Sequence, residues 1–235
     1  MSNESGIVVG VGPGLGWAVA QRFAEAGMRV AAAARDEAHL KRLLADDTTG
    51  RVSAFACDAS DGEQIDALFE YALTEVGPPD VVVFNAGTFE PGGVLEIAPE
   101  DFERCWRVGC YAGFLVGQAA ARLMVARGSG TLIFTGATAS LRGSARFANL
   151  AVPKFGLRAL AQSMARELGP AGVHVAHVVI DGQIESERYR HLAAERGPDA
   201  LLAPAAIAET YYQLHRQPRS AWVHELDVRP WLEKF

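Results

Sequence analysis

Short apolar runs of strand length alternate with helical patterns from one end of the chain to the other. The strand-like runs lie at 6–11, 29–34, 52–56, 81–84, 131–135, 173–179 and 222–226. Several are almost unbroken in Val, Ile, Leu, Phe and Ala, as strands covered on both faces should be. Between them, apolar positions at helical spacing predict helices over 15–26, 37–44, 62–75, 99–127, 151–168 and 204–214. Asp61 and Pro99 suit helix starts. Gly27, Gly77 and Gly169 fall just past helix ends, where a left-handed backbone is expected. Seven strands separated by helices predict an α/β fold with one doubly wound parallel sheet and helices on both faces. No repeat or composition break divides the chain, so residues 1–235 read as a single domain. The stretch 184–202, rich in Arg, Glu, Ala and Gly, reads as a mobile segment over a site, with plain surface loop and helix as the alternative.

Composition narrows the function classes. The chain has 235 residues, 49% apolar and 21% charged, with a formal charge of −6. That balance excludes a disordered protein. No run of Lys or Arg is present, which argues against nucleic acid or an anionic membrane as partner. The longest apolar stretch, 108–121, holds three glycines and Gln118 and stops at Arg122, so no membrane span is expected. The acidic start, Met1-Ser2-Asn3-Glu4, has no basic segment and is not read as a signal peptide. Cys57, Cys105 and Cys110 are odd in number and form no CxxC pair, which fits reduced thiols and a cytoplasmic protein. The six histidines form no ligand-spaced cluster with Asp, Glu or Cys, and His174 and His177 on one strand face opposite sides, so no metal site is expected.

The first strand runs directly into Gly10-Val11-Gly12-Pro13-Gly14-Leu15-Gly16, and a helix follows. Glycines at such a joint let the backbone approach a pyrophosphate, which then rests on the positive end of the helix. The second strand ends Ala33-Ala34-Arg35-Asp36. Ala34 stands where a carboxylate for the ribose 2′-hydroxyl would be expected, and Arg35 suits a 2′-phosphate. These residues predict NADP(H) in preference to NAD(H). The alternative is that Arg35 is a solvated charge and either cofactor enters.

At this point the chain resembles the short-chain dehydrogenase/reductase family along almost its whole length. Val9-Gly10-x-x-x-Gly14-x-Gly16 is similar to the family's TGxxxGxG turn, with Val9 in place of Thr. Asp58 matches the acid that contacts adenine, and Asn85-Ala86-Gly87 matches the NAG motif. Lys154 falls at the Lys of the YxxxK motif. Asp181-Gly182 lies where Pro-Gly is usual, and Ser186 sits at the hydroxyl position near the nicotinamide carboxamide. The resemblance implies a Rossmann-like domain with sheet order 3-2-1-4-5-6-7. It implies a cofactor set of Gly10, Gly12, Gly14, Leu15, Gly16, Arg35, Asp58, Asn85, Ala86, Gly87, Lys154, Gly182, Ile184 and Ser186. The helices at 99–127 and 151–168 resemble those through which family members pair, so a homodimer or homotetramer is expected.

The catalytic positions of the family are filled differently. The Tyr position, four residues before Lys154, is Leu150; the Ser position, thirteen before that, is Ala137; and the Asn position is Gly109. Lys154 alone remains as a catalytic candidate. A positioned general acid is worth ~10²–10⁴ in rate, so ordinary carbonyl reduction should be severely impaired. Thr138, Ser140, Asn149 and Tyr111 lie near the empty positions, and Asp181 could serve as base or substrate contact, although capping, packing and turn formation explain each of them too. Three functions stay open: an NADP(H)-dependent oxidoreductase acting on a small carbonyl or alcohol through a non-standard site, an inactive NADP(H)-binding sensor or scaffold, and a non-redox enzyme on the same fold.

Overall fold

The computed structural model describes residues 4–197 and 199–233; Met1, Ser2 and Asn3, on which the signal-peptide reading partly rests, lie outside them. Seven parallel strands form one sheet in the order β3-β2-β1-β4-β5-β6-β7. They are β1 Ser5–Val9, β2 Arg29–Ala34, β3 Val52–Ala56, β4 Val81–Phe84, β5 Gly130–Thr135, β6 Val173–Ile180 and β7 Glu225–Val228. The two faces carry separate apolar cores. Ile7, Val82, Phe84 and Phe134 pack on one, and Val8, Val83, Ile133 and Tyr211 on the other. That is why β1 and β4 read as unbroken apolar runs rather than alternating ones. The helices are α1 Leu15–Glu25, α2 Glu37–Leu44, α3 Gly62–Glu75, α4 Pro99–Trp106, α5 Ala112–Arg127, α6 Ala148–Leu168, α7 Arg190–Arg196 and α8 Pro204–His215.

Most of the expected element bounds agree with the structure to within a residue or two; three features differ for physical reasons. The helix expected over 99–127 contains a π-helical turn, Arg107–Tyr111, between α4 and α5. The turn carries Gly109, whose absent side chain lets Pro153 of α6 approach: a Cβ there would lie 2.9 Å from Pro153 Cβ. Long and apolar enough to cross a bilayer by length and composition, this stretch packs Ala112, Val116, Ala120 and Met124 into the sheet core. The left-handed residue after α6 is Gly172 (φ 84°), not Gly169, whose φ is −54°. A 3₁₀ turn, Gly169–Ala171, extends the helix by three residues before the chain reverses. The last strand begins at Glu225 rather than Trp222, whose ring stacks on His174 at 4.9 Å between ring centres.

The stretch 184–202 holds local structure at both ends and within. It holds the short α7, and its two ends are joined by backbone bonds from Glu185 N to Leu202 O and from Leu202 N to Gln183 O. Across the sheet edge, Arg158 of α6 donates twice to Glu225 of β7, at 2.7 Å each. His177 Nδ1 lies 3.3 Å from the same carboxylate. Burial pushes the His177 pKa down to about 4, so the ring is neutral under ordinary conditions.

Candidate functional site

The C-terminal ends of β1, β4, β5 and β6 open into one cleft of about 730 Å³. This is where the strand order reverses direction, the place where doubly wound sheets bind ligands. On one side stands the glycine-rich turn. Gly10 N and Val11 N both donate to Ala33 O of β2, at 2.9 and 3.0 Å. Asn85, at the end of β4, donates from Nδ2 to Gly10 O at 2.9 Å. The turn is thereby tied to the strands on both flanks of β1. Gly10 has φ 92°, and a Cβ there would lie 2.4 Å from Ala86 N; a Cβ at Gly16 would lie 2.6 Å from Gly10 O. The tight packing is on the protein side only. Gly12 and Gly14 have nothing within 4 Å of a built Cβ, and no side chain caps α1. Trp17 N donates to Gly12 O and Ala18 N to Gly14 O, at 3.1 Å each, so the N–H groups of Leu15 and Gly16 are the ones offered to an anion.

On the opposite side α6 presents Leu150 and Lys154, one turn apart on one face. Lys154 Nζ donates to Thr135 O at 2.7 Å, and Gly87 lies close beside the ammonium group: its built Cβ would be 3.6 Å away. Burial lowers the Lys154 pKa from 10.5 to about 8. The sign of the resulting pH dependence follows. The unfolded chain binds the proton up to pH 10.5 and the folded chain only to about 8, so this residue makes stability rise with pH across that window. A shift of this size corresponds to about 3 kcal/mol. Cys57, pushed up to about 11 by burial, works in the opposite sense, so the readout must be a difference. Thermal unfolding of the parent minus Lys154→Met, followed from pH 7.5 to 10.5, should show stability rising with pH; a flat difference would remove the desolvated ammonium from this account.

The expected residues fall into groups. Gly14, Leu15, Asn85, Gly87, Lys154, Gly182, Ile184 and Ser186 line the cleft. Gly10, Gly16 and Ala86 shape its wall from behind. Asp58 lies past the end of β3, where its Oδ1 accepts from both the N–H and the hydroxyl of Ser60. Arg35 is exposed just beyond β2 and has no ion pair among the described residues. Its neighbour Asp36 is taken up in capping α2 through His39 N. Ile184 lies partly buried against the core beside Leu202 rather than being freely exposed.

Ala137 and Leu150 both face the cleft, and neither can donate a hydrogen bond from its side chain. Ser140 is fully buried with its hydroxyl accepting from Ala137 N, and Asn149 donates to Glu90 O, so both serve local structure. Tyr111 stacks between Trp106 and Phe114. Thr138 is different. Its hydroxyl donates to Asp181 Oδ1 at 2.5 Å, and the other carboxylate oxygen lies 3.3 Å from Arg229. Asp181 was legible as an odd residue after β6; Arg229 was not, because nothing local ties a residue 48 positions away to it.

Comparison with known proteins identifies the relationship. The family model for short chain dehydrogenases matches residues 5–196. The chain is 33% identical over 190 residues to the 3-oxoacyl-(acyl-carrier-protein) reductase MabA of Mycobacterium bovis, covering 81% of this chain and 73% of that one. A short-chain dehydrogenase structure from Rhodopseudomonas palustris superimposes with TM-score 0.85 at 39% identity, covering 98% and 100% of the two chains. A metagenomic short-chain oxidoreductase, solved in complex with NADP, superimposes with TM-score 0.85 at 28% identity, covering 99% of each. With the sheet order and the glycine-rich turn already in place, the chain belongs to the short chain dehydrogenase family.

Proposed function

We propose that this protein binds NADP(H) and acts as an oxidoreductase on a small carbonyl or alcohol substrate through a site that departs from the family's usual one. The observation that carries the reading is the uncapped, glycine-walled start of α1 facing Lys154 across a single cleft. The nicotinamide supplies a hydride donor or acceptor when bound. Gly10 and Gly16 keep the turn close to the sheet, while the open faces of Gly12 and Gly14 leave room for the pyrophosphate. Lys154, beside Gly87, is placed to hold ribose hydroxyls. Arg35, with no ion pair of its own, is free to fork onto a 2′-phosphate. At the strand ends, Lys154 Nζ and Thr138 Oγ1 hold exchangeable protons, the second passed toward Asp181. A metagenomic relative solved with NADP supports the choice of cofactor.

A second reading is favoured by the apolar side chains at Ala137 and Leu150. In it the protein binds NADP(H) without turning over, as a sensor or scaffold. The two readings share the cofactor and part at hydride transfer from NADPH to small carbonyls. An exposed apolar stripe along α4, α5 and α6, including Phe102, Trp106, Phe114, Val152 and Phe155, supports the pairing of subunits expected from the sequence.

The cofactor assignment is tested by calorimetric titration. NADPH should bind well and NADH poorly, and Arg35→Ala should weaken NADPH by about 10- to 100-fold, a charge-assisted phosphate contact being worth ~1.5–3 kcal/mol. NADH should be unaffected by the change. Equal affinities for the two cofactors in the parent would assign Arg35 to solvent.

A further inference from the structure

The outer half of the cleft differs in character from the glycine-rich side. Its floor is apolar: Phe89 and Phe147 pack at 5.9 Å between ring centres, beside Leu150. Its rim carries Arg142, from the segment after β5, and Arg188 and Arg196, from the stretch leading into and through α7; all three are exposed. Among the described residues none of the three has an ion pair with a carboxylate. Among the described residues, none of the cleft's own acids is ion-paired with them. Asp181 is engaged with Arg229 and Thr138, and Glu185 and Glu233, which also line the cleft, form no ion pair with the arginines. Arg188 is held in place by aromatic faces, its guanidinium lying 5.0 Å from the Phe89 ring centre and 5.4 Å from that of Tyr189. In a chain of net charge −6, three unpaired guanidinium groups around one apolar floor are not accounted for by solubility.

We infer that the substrate side of the cleft takes an amphipathic oxyanion, an apolar body lying on Phe89 and Phe147 with a carboxylate or phosphate gripped by the arginines. This names the substrate class for the function proposed above and rests on that reading for where the reacting end would lie. The physical logic is complementary at each point. Leu150 and Ala137 in place of polar groups extend the apolar floor inward. Arg188 sits where that floor meets the rim, with its aromatic contacts leaving its N–H donors free to fork onto an oxyanion. Guanidinium groups partly shielded by aromatic walls bind anions more strongly than fully hydrated ones.

The test uses the full chain saturated with NADP⁺, so that the nucleotide's own phosphate sites are filled. Octanoate, mono-octyl phosphate and octanol are titrated by calorimetry at low and at physiological salt. At least one of the two anions should bind 10-fold or more tightly than octanol, and its affinity should fall as salt is raised. Which anion wins decides between carboxylate and phosphate. The variant R142Q/R188Q/R196Q should lose that preference while octanol binding stays put, and R142K/R188K/R196K should keep part of it, with thermal unfolding checking that both variants fold. Octanol binding as tightly as both anions would overturn the inference, as would no binding of either anion or an undiminished preference in the glutamine variant. Failure of NADP⁺ to bind at the outset would instead overturn the cofactor reading, and the same titrations on the cofactor-free chain would then judge the anion site alone.

Discussion

The double variant Ala137→Ser/Leu150→Tyr should reduce small carbonyl compounds with NADPH at least about 10²-fold faster than the parent chain. A positioned general acid contributes ~10²–10⁴ and one oxyanion donor ~10²–10³, and the two act as a unit rather than multiplying. Both positions face the cleft, and residue 150 lies one helical turn before Lys154 on the same face of α6. A phenol installed there lies beside Lys154, whose ammonium form, held below its pKa of about 8, favours the phenolate. Steady-state rates on a panel of aldehydes and ketones give the answer. No gain in the folded, NADPH-binding double variant would show that the reacting ends are not held where this site would need them. The third replacement, Gly109→Asn, should not help. Its Cβ would be driven to within 2.9 Å of Pro153 Cβ, so the asparagine is expected to destabilise the chain unless Pro153 is made smaller as well.

Gly10→Ala should be among the most damaging single substitutions in the protein. The residue has φ 92°, and the new methyl group would lie 2.4 Å from Ala86 N and 2.6 Å from Ala86 Cα. Backbone strain and overpacking each cost ~1–3 kcal/mol. A combined loss of about 3 kcal/mol lowers the melting temperature of a chain this size by roughly 6–12 °C. Because Asn85 Nδ2 holds Gly10 O, the turn should shift as well, and NADPH affinity should fall with it. Gly12→Ala is the control, since its Cβ meets nothing within 4 Å and should leave stability within about 0.5 kcal/mol. Melting curves of the two variants side by side decide it; equal melting temperatures would refute the packing argument.

The architecture was legible because the sheet is buried on both faces. Runs such as Val81–Phe84 declare themselves by composition alone, and the interrupting helices then dictate parallel pairing. Helix bounds were readable where a side chain marks them, as Asp61 does by accepting from Glu63 N and Gln64 N. What the sequence concealed was set by contacts between distant segments. The π turn at Arg107–Tyr111 accompanies the meeting of Gly109 and Pro153, a pairing across 44 positions. The start of β7 was misplaced because Trp222 is apolar and β-prone, yet prefers the ring of His174. At the site, glycines and Lys154 stood out by spacing, whereas the Asp181–Arg229 pair and the arginine rim exist only once the strand ends and the α7 region converge.

The stapling of residue 185 to residue 202 has a consequence for how this protein can change. The two backbone bonds close the intervening stretch into a loop whose ends meet at one point, just beyond the sheet. The glycine-rich turn, by contrast, is bonded into the middle of the sheet on both flanks. Segments of the first kind can open or be rebuilt at little expense to global stability, while segments of the second kind unfold only with the whole domain. Insertions, deletions and exchanges between 186 and 201 therefore alter the rim without touching the nucleotide-facing turn. The cleft thus has one wall fixed by the sheet's own hydrogen bonds and a short rim segment whose sequence can change without breaking them.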